Sequence, residues 1–176
     1  MRHVYCALLI LLLVCAAHAS VGVTVVLQFD DRYSELSIGE MKAQAQALVR
    51  ESGVVLSWRR IDKLSSSDAS PRMVVVRLRG VCETGRPIPA VSLEPVALGY
   101  TYILGGEPSP FSDIECDRVR NSLGPQSGHD DLAFGRALGR VLAHELHHVI
   151  DRTRRHTAKG YTRQSLSAAE LVAVRR

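Results

Sequence analysis

One segment of this 176-residue chain, from about Asp131 to about Asp151, has a helical pattern that constrains the fold more than any other feature. Leu142 and Leu146 lie four residues apart among other apolar residues, so they share one face of the predicted α-helix, and that face is expected to pack against a core. His144 and His148 are also four residues apart, but they lie on a different stripe of the helix. The fold must therefore cover the apolar face and bring both histidines to one place.

The sequence HELHH at residues 144–148 matches the pattern H-E-x-x-H through His144, Glu145 and His148. Residues four apart on a helix are separated by about 40° around its axis and by one turn along it, so both imidazoles can reach one ion. Neutral imidazoles bind Zn²⁺, and a neighbouring carboxylate can take a proton from a water that attacks a carbonyl group. The motif predicts one zinc ion on His144 and His148, with Glu145 as general base. A surface helix with unliganded histidines is the alternative.

This motif resembles the zincin metallopeptidases, and within them the metzincin branch, whose longer pattern H-E-x-x-H-x-x-G-x-x-H adds a glycine and a third histidine. In this chain Asp151 stands at the glycine position and Arg154 at the third histidine, whereas His156 follows two residues later. The resemblance implies a small zincin-like domain that hydrolyses peptide bonds. A catalytic zinc takes three protein ligands and one water. His156 is therefore the expected third ligand, displaced because the helix continues slightly further without glycine.

Two further residues are alternatives for the third ligand. Glu170 lies on a predicted C-terminal helix, and the gluzincin branch takes a glutamate from a downstream helix. Asp151 shares the histidine stripe and can either bind the metal or orient a histidine. Tyr161 is, by its position alone, a candidate hydrogen-bond donor to the developing oxyanion. It follows Gly160 where metzincins have a methionine, so the methionine-bearing turn has no counterpart here. An ordinary packed tyrosine is the alternative reading of Tyr161.

The chain ahead of the motif predicts a βαβ unit. Val21–Phe29 is β-branched and apolar, as is typical of a buried strand. A helix is expected to begin at the capping-box sequence Ser37–Glu40 and to end at Gly53. Val54–Trp58 then predicts a second strand, and the order strand, helix, strand favours a parallel pair.

Two more strands are predicted at Met73–Gly80 and Ala97–Gly106, followed by a short helix over residues 112–123. A second capping-box sequence, Ser167–Glu170, predicts the terminal helix. Together these elements predict an α+β fold, in which a mixed twisted sheet of about four strands is backed by a helix and by the long motif helix. In zincins the strand before the motif helix aligns the substrate, and Gly99–Leu104 is the corresponding strand here.

The first residues have the pattern of a signal peptide. A short basic start precedes the apolar run Val4–Val14, and small residues at Ala17–Ala19 match a cleavage site. The predicted division is a signal peptide at 1–19 and a single domain at 20–176. A membrane anchor is the alternative, but the run is well short of the roughly 20 residues that span a bilayer. A secreted or periplasmic protein without stable membrane association is therefore expected.

Cys82 and Cys116 are the two cysteines left after cleavage, and in an oxidising compartment they are expected to form one disulfide. Two separate buried thiols are the alternative. The net charge of +4 is modest. The basic run Arg152–Arg155 has no neighbouring aromatic residues for stacking, so nucleic acid is not an expected partner.

The function expected from these observations is a secreted zinc peptidase that acts on peptide or protein substrates, most simply as a monomer. A secreted zinc-binding module without catalysis is the alternative, and in such a structural site protein groups fill all four metal positions. A metal-free interaction domain is a third hypothesis, and it predicts that the purified protein contains no zinc.

Overall fold

A computed structural model describes residues 20–65, 68, 70–85 and 97–174, so the predicted signal peptide lies outside the described residues. The described part is a mixed α+β arrangement built on one five-stranded sheet. The strands are β1 (Val21–Phe29), β2 (Val54–Arg60), β3 (Met73–Arg79), β4 (Gly99–Leu104) and β5 (Glu107–Glu115). The helices are α1 (Glu35–Val49), α2 (Cys116–Ser122), α3 (Gly124–Ser127), α4 (Asp131–Ile150) and α5 (Ala168–Val172).

The strands follow the order β2-β1-β3-β5-β4 across the sheet. β1 pairs in parallel with β2 and with β3, and β3 pairs in parallel with β5. The predicted parallel βαβ unit is thereby confirmed, with Val21 opposite Val54. β4 is antiparallel to β5 and has no strand on its other side among the described residues. Within the described ranges, the outer edge of β4 is therefore unpaired.

The sheet has five strands rather than the predicted four or so. The additional strand is β5, which is hard to predict because its sequence is not typical of a strand. Pro108 and Pro110 lie within it, and proline cannot donate a hydrogen bond to a neighbouring strand. Both prolines precede Phe111, where pairing with β3 begins, so that ladder loses no donor. The helix predicted over residues 112–123 is correspondingly shorter and begins at Cys116.

Helix α1 begins one turn earlier than the capping-box sequence predicts. Ser34 is its N-cap, and the Ser34 hydroxyl accepts a hydrogen bond from the Ser37 amide at 3.3 Å. Ser37 is buried instead, and its hydroxyl donates to the Asp131 carboxylate at 2.7 Å. A contact distant in sequence therefore replaces the local cap. The second predicted capping box, between Ser167 and Glu170, is confirmed.

Helices α1 and α4 pack against each other and against one face of the sheet. The predicted apolar face of α4 is fully buried at Leu142 and Leu146. Gly135 and Gly139 let the two helices approach closely, since a Cβ on Gly139 would lie 2.7 Å from the Met41 carbonyl oxygen. This packing fixes α4, and with it the histidine stripe, relative to the edge strand β4.

Cys82 and Cys116 form the predicted disulfide, which joins the segment after β3 to the first residue of α2. The bond closes a loop of 34 residues, and a loop of that length stabilises a fold by about 4 kcal/mol in the chain-entropy model. Such a bond is consistent with an oxidising compartment. None of the helices in the described ranges combines the length and apolar character needed to cross a bilayer.

Candidate metal centre

Three histidines meet at the C-terminal end of α4. One ring nitrogen from each of His144, His148 and His156 lies within 4.8 Å of the other two. The ring centroids are 4.8 Å apart for His144 and His148, 5.1 Å for His144 and His156, and 5.0 Å for His148 and His156. The three imidazoles therefore surround one point in space, and this group can hold a metal ion.

Backbone carbonyl groups fix the orientation of two of these rings. The Nδ1 atom of His144 lies 2.9 Å from the Tyr161 carbonyl oxygen, and Nδ1 of His148 lies 2.8 Å from the Thr153 carbonyl oxygen. A carbonyl oxygen only accepts hydrogen bonds, so each Nδ1 must carry the hydrogen. In the neutral imidazoles the Nε2 atoms then carry free lone pairs. This carbonyl support is the usual arrangement for metal-binding histidines.

The two free Nε2 atoms point at each other at a distance of 3.1 Å. Neither can donate to the other, so their lone pairs repel unless a cation lies beside both. Burial lowers the pKa of His144 to about 4 and also lowers the pKa of His148, so protons do not fill this role at neutral pH. Zinc–nitrogen bonds of 2.0–2.1 Å in tetrahedral geometry place two ligand nitrogens about 3.3 Å apart. The observed spacing fits such an ion.

The turn after α4 brings His156 back towards the helix. Asp151 is the helix C-cap, and Arg152 has a left-handed backbone with φ of 49°. The Thr153 amide donates to the His148 carbonyl oxygen at 3.1 Å. This bond is the longer of the two that define a Schellman motif, and Arg152 stands at the position where glycine is the usual residue. The left-handed residue thus lies between His148 and His156, where the chain reverses towards the histidine group.

Glu145 is buried, with 4% of its surface exposed. Burial raises the pKa of its carboxyl group to about 7, against the opposite effect of a hydrogen bond from Thr101. The Thr101 hydroxyl donates to the Glu145 carboxylate at 2.8 Å, so the edge strand β4 holds this side chain in place. A general base works best when its pKa is near the operating pH.

Gly99 allows the close approach of α4 to β4. A Cβ atom at this position would lie 2.8 Å from a Val141 methyl group and 3.1 Å from the Glu145 carboxylate. Any larger residue would therefore displace the helix or the carboxylate. This contact explains why the strand that lies beside Glu145 begins with glycine.

The histidines and Glu145 line an open cavity of about 800 Å³. One wall comes from β4 and the residues before it, and the opposite wall comes from the chain that follows α4. The lining residues outside the metal group include Leu98, Thr101, Val141, Arg154, Arg163 and Leu171. The site is thus reachable from outside and large enough for a segment of peptide.

The other predicted ligands are engaged elsewhere. The Glu170 carboxylate accepts a hydrogen bond from Ser167 at 2.8 Å and pairs with Arg163 at 2.7 Å. Asp151 lies 2.6 Å from Nδ1 of His147, outside the histidine group. Neither belongs to the group of potential ligands found among the described residues. The structure brings His144, His148 and His156 together without them.

Tyr161 contributes to the site through its backbone. Its ring packs against the hydrophobic core and is not among the residues that line the cavity, whereas its carbonyl oxygen orients His144. The role of its hydroxyl group as an oxyanion donor stays a prediction.

Sequence reasoning missed the residues that support the site. Thr101 and Gly99 hold or accommodate Glu145, and the carbonyl groups of Thr153 and Tyr161 orient the histidines. The sequence offers one signal for Thr101. Side chains alternate between the two faces of a strand, so Thr101 and Tyr100 are expected on opposite faces of the sheet. No local signal marks the two carbonyl groups, since every residue has one.

No protein-family model, no curated protein and no solved structure matches this chain.

Proposed function

We propose that the protein is an exported zinc-dependent peptidase with Glu145 as its general base. The observation that carries this proposal is the pair of free Nε2 atoms, 3.1 Å apart, with His156 as a third ring and a buried carboxylate beside them. Three protein ligands next to an open cavity are typical of a catalytic zinc site, which keeps one position for water. Export is inferred from the predicted signal peptide, and the disulfide is consistent with it.

When bound, zinc supplies a Lewis acid that lowers the pKa of a water molecule towards about 7 and polarises the scissile carbonyl group. His144, His148 and His156 are the proposed ligands. Glu145 takes the proton from the attacking water and returns it to the leaving amine. Thr101 keeps the Glu145 carboxylate on the cavity side of α4 through the bond to its Oε2 atom.

The edge strand β4 is the proposed substrate platform. Its outer side has no strand partner among the described residues, and Tyr100, Thr101 and Ile103 of this strand line the cavity. An extended peptide can add to such an edge through backbone hydrogen bonds, with alternate side chains directed into the cavity. A bound peptide would then pass next to Glu145, which contacts the same strand.

Hydrolysis of an unstructured protein substrate by the zinc-loaded protein tests the proposal. Glu145→Gln keeps the shape of the side chain but cannot take a proton. We expect this variant to lose about 10²–10⁴-fold in rate while it retains its zinc. His129→Ala is the matched control, because His129 is exposed and lies outside the metal group.

Two results would overturn the peptidase proposal. One is hydrolysis that is unaffected by Glu145→Gln, which would indicate a contaminating protease. The other is a wild-type protein that binds zinc and cleaves no peptide, which is the result expected for a non-catalytic zinc-binding module.

A further inference from the structure

The charged side chains in the described lining of the cavity beside the histidines are mostly basic. Among the described residues, this lining contains two arginines, Arg154 and Arg163, and one acidic side chain, Glu145. Glu145 is the proposed base and lies deep in the site, with 4% of its surface exposed. The outer part of the cavity therefore presents positive charge to an incoming molecule.

The two arginines differ in their partners. Arg163 donates to the Glu170 carboxylate at 2.7 Å and to the Ser165 carbonyl oxygen at 3.1 Å, so its charge is largely balanced within the protein. Arg154 is exposed and has neither an ion pair nor a hydrogen bond to any other residue in the described part of the chain. Its guanidinium group is thus available to a ligand.

The backbone near Arg154 is held at a defined distance from the metal group. The preceding residue, Thr153, is tied to His148 twice, through its amide to the His148 carbonyl group and through its carbonyl group to the His148 ring. His156 follows two residues later and belongs to the metal group. Arg154 therefore extends from a short segment fixed at both ends, next to the place where hydrolysis would occur.

We propose that Arg154 binds a carboxylate group of the substrate close to the scissile peptide bond. A guanidinium group offers a planar pair of donors that matches a carboxylate, and such charged hydrogen bonds are stronger than neutral ones. The carboxylate can belong to an aspartate or glutamate side chain or to the C-terminus of the peptide. This inference rests on the proposed peptidase function and deepens it, because it names the chemistry that the enzyme selects.

Matched peptides separate the two sources of the carboxylate. One series replaces aspartate and glutamate by asparagine and glutamine at each position around the cleavage site, and a second series compares a free C-terminus with an amidated one. For the wild-type protein we expect kcat/KM to be about tenfold higher for the preferred carboxylate peptide than for its neutral counterpart. Arg154→Gln should reduce that ratio to about one.

Arg155→Gln is the matched control, because Arg155 is the next residue in the same exposed run and does not line the cavity. This variant should keep the wild-type ratio. Arg154→Glu should invert the preference, so that peptides with lysine at the selected position become the better substrates. Equal cleavage of acidic and neutral peptides by the wild-type protein, or an unchanged ratio in Arg154→Gln, would overturn the inference.

Binding measurements keep this test separate from that of the peptidase proposal. The Glu145→Gln protein, loaded with zinc, should bind the carboxylate peptide about tenfold more tightly than its neutral counterpart, and Arg154→Gln in that background should abolish the difference. If no peptide is cleaved but this binding preference is present, the peptidase proposal fails and the carboxylate site remains. If neutral peptides are cleaved without any preference, only the carboxylate site fails.

Discussion

Arg152 has a strained backbone conformation in the turn between α4 and His156. It is the non-glycine residue with positive φ in the described part of the chain, and its φ is 49°. Residues with a side chain adopt this left-handed conformation at a cost of roughly 1–2 kcal/mol. The strain lies in the turn that ends α4 and directs the chain towards His156, at the position where glycine is the usual helix terminator.

Replacement of Arg152 by glycine should relieve this strain. We expect the free energy of unfolding to rise by about 0.5–1 kcal/mol, because the greater flexibility of glycine in the unfolded chain offsets part of the gain. Urea unfolding measures the change. Arg155→Gly is the control and should give no gain. An equal gain in both variants would mean that the turn at Arg152 is not strained.

Thr101 is expected to position Glu145, the proposed general base, through the hydrogen bond from its side-chain hydroxyl group. Thr101→Val keeps the shape of the side chain and removes the hydrogen bond to Glu145, so we expect kcat to fall about tenfold while KM changes little. Thr101→Ser, which restores the hydroxyl group, should recover most of the rate. Zinc content should be the same in all three proteins. A large rise in KM with unchanged kcat would instead indicate a role in substrate binding.

At the scale of elements, the contact between α1 and α4 sets the position of the histidine stripe. A Cβ on Gly139 would meet the Met41 carbonyl oxygen and the Gln44 side chain at 2.7 Å. Gly39 is a matched position on α1, where a Cβ would meet nothing within 4 Å. Gly139 therefore allows close helix packing, whereas Gly39 has no role in packing and only makes α1 more flexible.

Alanine at these two positions should change stability in opposite directions. Gly139→Ala is expected to destabilise the protein by about 1–3 kcal/mol through overpacking. Gly39→Ala should stabilise it by about 0.5–1 kcal/mol, since alanine is the better helix former. Thermal and urea unfolding measure both changes. Stabilisation by Gly139→Ala would show that the helices are not in close contact there.

Asp113 connects three strands on the sheet face that points away from Thr101. Its carboxylate accepts hydrogen bonds from Arg77 of β3 at 2.6 Å and from Tyr100 and Tyr102 of β4 at 2.8 and 3.1 Å. Burial alone would raise the pKa of Asp113, but these hydrogen bonds outweigh burial, so its pKa lies below the ordinary value of 3.8. The ionised form therefore anchors the edge strand.

A lowered pKa in the folded protein makes the stability contribution of Asp113 depend on pH. The contribution is complete above the ordinary pKa of 3.8 and is lost as pH falls through the lower pKa of the folded state. Asp113→Asn should lower the free energy of unfolding by about 2–3 kcal/mol at pH 7, because it leaves Arg77 without its charged acceptor. The difference in free energy of unfolding between this variant and the wild type should become smaller at pH below 3.8.

Urea unfolding of both proteins at pH 7 and across the acid range measures this effect. Glu107→Gln, at the exposed start of the same strand, is the control for loss of a carboxylate and should change stability little. If the difference in free energy of unfolding between wild type and Asp113→Asn stays constant from pH 7 to pH 2, the ionised Asp113 carboxylate does not anchor the edge strand.

At the scale of the whole molecule, the sequence predicts those features that depend on neighbours along the chain. The apolar face of α4 and the histidines at 144 and 148 follow from helical periodicity, and the parallel pairing of β1 with β2 follows from the short helical crossover. The disulfide follows from there being only two cysteines beyond the predicted signal peptide. The distance of His156 from the motif predicts that it joins His144 and His148, and its ring lies beside the other two.

Features that depend on contacts between distant segments were not predictable. Strand β5 contains two prolines and is a strand because β3 and β4 pair with it. Ser37 looks like a local helix cap but bonds to Asp131, which is 94 residues away in sequence. The contact of Thr101 with Glu145 likewise spans 44 residues. In each case tertiary packing outweighs the local preference.

Metal stoichiometry tests the central claim most directly, namely that three imidazoles hold one ion. Elemental analysis of purified protein expressed with zinc should give about one zinc per chain. The content should fall close to zero in His144→Ala, His148→Ala and His156→Ala, and should be unchanged in His129→Ala and Glu170→Ala. A wild-type protein without metal, or loss of zinc in Glu170→Ala with retention in His156→Ala, would contradict the account.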